Sequence, residues 1–321
     1  MSSSNEERET FKKMETNRPK IAVVGSLNMD LVVSMERMPL TGETVQGRAF
    51  QTVPGGKGAN QAAGCGRLGA AVEMIGAAGE DAFGGELVRS LQGFGVTTEG
   101  VSRIAGVSSG VATIYHTEDD NCIVVVPGAN ASCTAELVEA HADRIRSADL
   151  LLVQLEVPLP AVKRALELAR GSGVITVLNP APARELPAEL VALADYITPN
   201  ETEFELLTGG AAGTEAELAA RMRSWQEATG CRVLVTRGSR GCSFLREDGE
   251  LATVPALKVE PVDTTGAGDT LNAALGVSLA AGVPLEEAVS FAVRAASLSV
   301  TKFGAQGGLP TLAEVRATYK G

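Results

Sequence analysis

Five short apolar runs, each closing on glycine, proline or a polar residue, constrain this chain more than any other feature. They are IAVVG (21–25), LLLVQLE (150–156), GVITVLNP (173–180), ADYITPN (194–200) and CRVLVTRG (231–238). Runs of this length bounded by turn signals suit strands buried on both faces. Amphipathic stretches lie between them, such as LPAVKRALELARGSG (159–173) and TEAELAARMRSWQEATG (214–230), each stopping at a glycine of the kind that ends helices. Strand, helix, strand, repeated, predicts an α/β fold with a mostly parallel central sheet and helices on both faces. In such sheets the site lies beyond the carboxyl ends of the strands. The residues there are Asn28, Asp30, Glu156, Asn179, Asn200 and Thr236.

Two stretches break the rhythm. Residues 31–53 and 108–126 have β character with no intervening helix, and TEDDN (117–121) reads as a hairpin turn. They predict a small projecting β-sheet, usable as a lid or as a dimer edge. No linker or repeat divides the chain, so 20–321 reads as one domain and 1–19 as a flexible tail. That tail has no apolar core for a secretory signal, and its four glutamates argue against an organellar transit peptide. No apolar run nears the roughly twenty residues that span a bilayer. A cytoplasmic protein is the expectation.

With 39 acidic against 28 basic residues the net charge is −11, which opposes nucleic-acid or membrane-surface partners. Any phosphate site must be local. Five cysteines form no CxxC pair and read as small buried hydrophobes of a reducing compartment; the two histidines, His116 and His141, have no companion at ligand or triad spacing.

The stretch VDTTGAGDTLN (262–272) places a carboxylate after two glycines, where an apolar run begins. One reading is a turn with Asp269 capping a helix. The other is an anion hole formed by the N–H groups of 266–269, with Asp269 as a base beside it. A carboxylate at a helix N-terminus is expected to stay ionised, as a base requires. A dinucleotide fingerprint fails because its third glycine position holds Leu271, and no stretch matches a Walker A loop.

Other segments carry two readings each. In GGKGANQAA (55–63), Gly55 and Gly56 let backbone approach a ligand while Lys57 and Asn60 donate to it; otherwise it is an ordinary loop entering a helix. Asn28 and Asp30 face one side of an extended segment, suited to sugar hydroxyls or to a polar turn. Glu156 ends an apolar strand, where a lone carboxylate is costly unless paired or exposed. PNETE (199–203) is equally a capping box and a nucleotide and magnesium site. Thr236, Gly238 and Gly241 divide between turn and phosphate contact, the basic residues of RGSRG read as solvated, and Trp225 reads as packing.

Taken together, GSLNMD, GGKGANQAA, QLEVP, LNPAPARELP, ITPNETE, TRGSRG, VDTTGAGDT and GAQGGLP resemble the ribokinase family of carbohydrate kinases, phosphofructokinase-B type, over about residues 20–312. The resemblance implies transfer of the ATP γ-phosphate to the 5-hydroxyl of D-ribose. It implies Asp269 as base and Gly266, Ala267 and Gly268 as the anion hole. Asn28, Asp30, Gly56, Lys57, Gly58, Ala59, Asn60 and Glu156 would hold the sugar, with Asp269 also touching it. Asn200, Glu203, Thr236, Arg237, Gly238, Ser239, Arg240 and Gly241 would line the nucleotide and Mg2+ side. A K+ site is implied at Asp263, Thr265, Ser299, Lys302, Gly304 and Gly308, mostly through backbone oxygens, and a homodimer through the β lid.

The chain departs from the family in three places. Gly308 stands where a serine is frequent, removing one hydroxyl ligand. Val293 replaces a polar residue that commonly meets adenine, implying looser nucleotide selectivity. LNAA replaces FNGA after Asp269, a packing change. Fructokinase, deoxyribokinase and adenosine-kinase-like activities are the alternatives within the family, and a non-catalytic sugar or nucleotide sensor is the alternative outside it.

Overall fold

Strands β1 (Lys20–Val24) and β8 (Leu150–Gln154) lie at the centre of the molecule. Their side chains alternate between two cores: Ile21, Val23, Leu150 and Leu152 enter one, Ala22, Val24, Leu151 and Val153 the other. The period of two in an extended chain, with both faces covered, explains why these runs are apolar throughout. The computed structural model describes residues 10–14, 16, 18–117 and 121–319.

Flanking them are β4 (Ala71–Gly79), β5 (Val96–Ile104), β9 (Ile175–Asn179), β10 (Tyr196–Ile197), β11 (Arg232–Thr236), β12 (Cys242–Leu245) and β13 (Leu251–Val254). The sheet runs β13-β12-β11-β10-β9-β8-β1-β4-β5. It is parallel from β11 to β5, with β12 and β13 added antiparallel at one edge. Helices cover both faces, as expected.

A second sheet has the order β3-β2-β6-β7, from β2 (Asn28–Met35), β3 (Gly47–Gly55), β6 (Gly110–His116) and β7 (Asn121–Val126). Only the β2–β6 pair in it is parallel. It answers to the small sheet expected from 31–53 and 108–126, but β2 starts at Asn28, so the turn after β1 leads straight into it. The centre of the expected TEDDN hairpin, 118–120, lies outside the described residues.

The flexible tail expected over 1–19 does not describe its residues 10–14. Residues 10–14 are helical, and Phe11 (2% exposed) and Met14 enter the main core. Phe11 meets Phe291 and Tyr319 edge-on, at centroid distances of 5.8 and 5.3 Å. Burying an aromatic ring against two others, with Met14 beside it, offsets much of the entropy of fixing one helical turn. Among the cysteines, Cys122 departs from expectation: it is exposed on β7, whereas Cys65, Cys133, Cys231 and Cys242 are buried.

Candidate active site

Asp269 sits in the first turn of the helix Ala267–Ala280, whose N-cap Gly266 takes a left-handed φ of 77°. Only glycine suits that position, because a Cβ there would also stand 2.7 Å from the Ala305 methyl. The first N–H groups of a helix have no intrahelical partner. Ala267 N makes one long bond, 3.3 Å, to Thr264 O; among the described residues none accepts from the N–H of Gly268 or Asp269. The anion hole expected from 266–268 therefore has open donors.

The carboxylate of Asp269 is 6% exposed. Oδ2 accepts from Asn60 Nδ2 and Oδ1 from Gln61 Nε2, each at 3.0 Å. Burial pushes its pKa up, against Lys57 and the two amides, which favour the ion. Burial thus works against the ionised form expected at a helix terminus, and the side-chain partners oppose that burial.

The helix Lys57–Arg67 lies against this one, and its Gly58 meets the turn after β1. A Cβ at Gly58 would stand 2.5 Å from Ser26 N. Gly58 N donates to Ser26 Oγ (3.3 Å) and Ala59 N to Ser26 O (2.9 Å). These donors hold the chain's own turn after β1 rather than a ligand. Glu156 Oε2 joins them, accepting from Ser26 Oγ (2.5 Å) and Lys57 N (3.0 Å), so the strand-end carboxylate is paired with a helix terminus.

Asn28 is also largely committed: it is buried, and its Oδ1 accepts from Asn130 Nδ2 at 2.7 Å. Asp30 remains half-buried on β2. Burial pushes its carboxyl up to about 7, helped by Glu156 and Asp269 and opposed by Lys57. Burial works against the Lys57 charge, yet Asp269, Glu156, Glu203 and Asp30 together hold its pKa above the usual lysine value. The sugar-side set converges here.

Two cavities open nearby. One, about 360 Å³, is lined by Thr236, Gly238, Ser239, Gly241, Gly268 and Val293 among others, mostly apolar side chains and glycine backbone. It suits a flat heterocycle leading to a phosphate chain at the helix terminus. The other, about 500 Å³, lies under the second sheet, between Asp30, Val53 and His116 and the loops carrying Asp263, Thr265 and Gly304. Arg237 and Arg240 do not reach the first cavity. Arg237 is buried against Glu201 (3.3 Å) and Glu215 (2.7 Å), and Arg240 pairs with Glu201. Arg237, read as solvated, is thus buried, whereas Arg240 stays largely exposed in its pair.

Asn200 and Glu203 form the reciprocal capping box: Asn200 Oδ1 accepts from Glu203 N and Glu203 Oε2 from Asn200 N, both at 2.8 Å. This leaves one Glu203 oxygen, a set compatible with Mg2+, which commonly takes one or two carboxylates plus phosphates. Asp263 ties the two loops expected to hold K+, accepting from Thr265 N and Gly304 N at 2.9 Å. Burial opposes its charge, but those bonds hold its pKa below the usual carboxylate value. Ionised carboxylate and loop carbonyls suit a hard monovalent cation. The Lys302 ammonium points elsewhere, to Glu314 at 3.1 Å. At Gly308 a Cβ would stand 2.3 Å from the Ser299 carbonyl oxygen, so backbone fills the place of the missing serine side chain.

Reading the sequence missed Ser26, Gln61, Asn130 and Gln306. Gln61 and Gln306 lie inside motifs already singled out, GGKGANQAA and GAQGGLP; Asn130 stands in no such motif.

The fold, the open helix terminus and the buried carboxylate beside it define a sugar-kinase architecture. The chain belongs to the pfkB family of carbohydrate kinases, whose family model matches residues 18–312. It is an ATP-dependent carbohydrate kinase by that membership. Within the family it is similar to ribokinases. It is 44% identical to the ribokinase of Bacillus subtilis over 295 residues, 92% of this chain and 97% of that protein. It is 39% identical to the ribokinase of Lactococcus lactis, over 94% of this chain and 97% of that protein. The structure of Arabidopsis thaliana ribokinase complexed with ribose and ATP superposes with a TM-score of 0.88 at 33% identity, covering 94% of this chain and 99% of that one.

Proposed function

We infer that the chain transfers the γ-phosphoryl group of ATP to the 5-hydroxyl of D-ribose, with Asp269 as the base. The observation that carries this is the buried Asp269 carboxylate on the same turn as open N–H donors that face a nucleotide-sized cavity. The similarity to ribokinases supports ribose as the acceptor.

The sugar enters under the second sheet, where Asp30 accepts from its hydroxyls and Lys57 donates. Asp269 takes the proton of the 5-hydroxyl as that oxygen bonds to phosphorus and the bond from the γ-phosphorus to the bridging oxygen of ADP breaks. The N–H groups of 266–268 stabilise charge on the transferring oxygens. In phosphoryl transfer, positioning and charge stabilisation carry most of the rate. Mg2+, when bound with the nucleotide, neutralises phosphate charge, with Asn200 and Glu203 on its side. K+ would be held by Asp263 and by backbone oxygens of Thr265, Ser299, Lys302, Gly304 and Gly308. The second sheet serves as lid and as the edge of a homodimer. No described helix is long and apolar enough to cross a membrane.

Assay of ATP turnover against ribose, deoxyribose, fructose and adenosine tests the substrate, and ribose should give the highest kcat/KM. Asp269→Asn should lower kcat by about 10²–10⁴-fold while ribose binding persists. Turnover near wild type in that variant removes Asp269 as the base; preference for another sugar removes ribose.

A further inference from the structure

Two lines of side chains, buried except for the half-buried Ser90, run into the two oxygens of Asp269. On one, Ser90 Oγ donates to Gln306 Oε1 (3.1 Å), Gln306 Nε2 to Asn60 Oδ1 (3.2 Å), and Asn60 Nδ2 to Asp269 Oδ2 (3.0 Å). On the other, Gln154 Nε2 donates to Gln61 Oε1 (2.6 Å) and Gln61 Nε2 to Asp269 Oδ1 (3.0 Å). Gln61 Nε2 also reaches Asn179 Oδ1 at 3.3 Å.

The direction of each line follows from chemistry. An ionised carboxylate only accepts, so Gln61 must present its NH2 to Asp269. Its oxygen then faces Gln154, which must in turn present NH2. The consequence appears at the far end: Gln154 Oε1 is buried with no hydrogen-bond partner among the described residues. Gly25 makes room for that oxygen, since a Cβ there would stand 2.1 Å from it. An orphaned buried acceptor is destabilising, and it persists here because the same side chain supplies the donor to Gln61 Oε1. Neither Gln61 nor Gln154 lines the two cavities described above.

We propose that Gln154 and Gln61 are positioning residues for phosphoryl transfer, a relay that aims the Asp269 carboxylate and commits it to accepting. The proposal rests on reading Asp269 as the base. Gln154 fixes the sense of the Gln61 amide; without it, that amide can turn and offer an oxygen to the carboxylate, which repels it. Asn60 and Gln306 hold the second oxygen in the same manner.

The test is Gln154→Leu, with Gln61→Met as a second variant and Asp269→Asn run alongside. Gln154→Leu exchanges one orphaned acceptor, Gln154 Oε1, for another, Gln61 Oε1, so Tm should change little. Yet kcat should fall about tenfold, the equivalent of one hydrogen bond, with ribose KM little changed. The acidic limb of kcat against pH should move upward, because the ionised base has lost support. Gln61→Met should show the same movement with a larger loss of kcat. If folded variants keep the wild-type kcat and acidic limb, or lose only Tm, the relay proposal is overturned. Activity persisting in Asp269→Asn overturns the base assignment instead, so the two failures are distinct.

Discussion

Lys57 is one ammonium among four carboxylates, Asp269, Glu156, Glu203 and Asp30. Burial is the main reason that Asp30, with an ordinary value of 3.8, rises to about 7, and the negative charge of Glu156 and Asp269 adds to it. A raised carboxyl pKa means the folded protein holds a proton that the unfolded chain has released. Its stabilising contribution is complete below the unfolded value and is lost as pH rises through the folded one. The sugar-free protein should therefore lose Tm between about pH 4 and pH 7 more steeply than Asp30→Asn does. Ribose KM should also improve through pH 7 in the wild type alone, as Asp30 becomes a full acceptor. Equal Tm slopes in the two proteins, measured by calorimetry across that range, would take Asp30 out of the linkage. Asp30 and Asp269 could be picked from the sequence because each ends a turn beside glycine or strand. Their protonation could not, because it depends on burial and on charges more than a hundred residues away.

The helix Lys57–Arg67 shows the same division at the next scale. Its small residues, from Gly58 to Cys65, are buried nearly all round, and GGKGANQAA already marked a helix start of special chemistry. What the motif could not disclose is that its glycines admit the turn Ser26–Asn28 rather than a ligand. Gly58→Ala separates the two roles. Alanine gains up to about 1 kcal/mol of helix propensity. Its Cβ, however, would meet the backbone of Gly25 and Ser26 at 2.5–2.7 Å, and backbone cannot yield as a side chain does. Overpacking of this kind costs about 1–3 kcal/mol, so the clash wins and Tm should fall, with Lys57 and Asn60 displaced. A variant as stable as wild type, or more so, would show that the turn is not pressed against the helix. The alternating strands and helices were legible because each strand is apolar on both faces. The docking of residues 10–14 was not, because one turn with Phe11 and Met14 carries no periodicity to read. The burial of Arg237 was not legible for a related reason: its partners Glu201 and Glu215 come from two helices outside its own segment.

At the scale of the molecule, on the reading proposed above, the central sheet supplies the nucleotide side and the second sheet roofs the sugar side. That second sheet reaches the main core through Met29 and Leu31 of β2, while its outer strand stands off it. Its outer strand bears the consequence. Ile123, Val124, Val125 and Val126 are consecutive on β7 and each is about half exposed. Alternate residues of a strand point to opposite faces, so neither face of β7 is covered by the described chain. Phe50, on β3 at the opposite edge of the same sheet, is also exposed. Contiguous exposed apolar surface on an edge strand invites another chain, and soluble proteins normally blunt such edges with charge or proline. A second copy offering the same sheet covers both at once, which is the homodimer proposed above. Placing carboxylates on both faces, with Val124→Asp together with Val125→Asp, should convert a dimer into a monomer in sedimentation velocity. The nucleotide cavity is built from the other sheet, so ATP binding should survive. Ribose KM should rise, because the roof over the sugar loses its support. A wild-type protein that sediments as a monomer throughout the assay range, or a double variant that remains dimeric, would remove the lid from the interface.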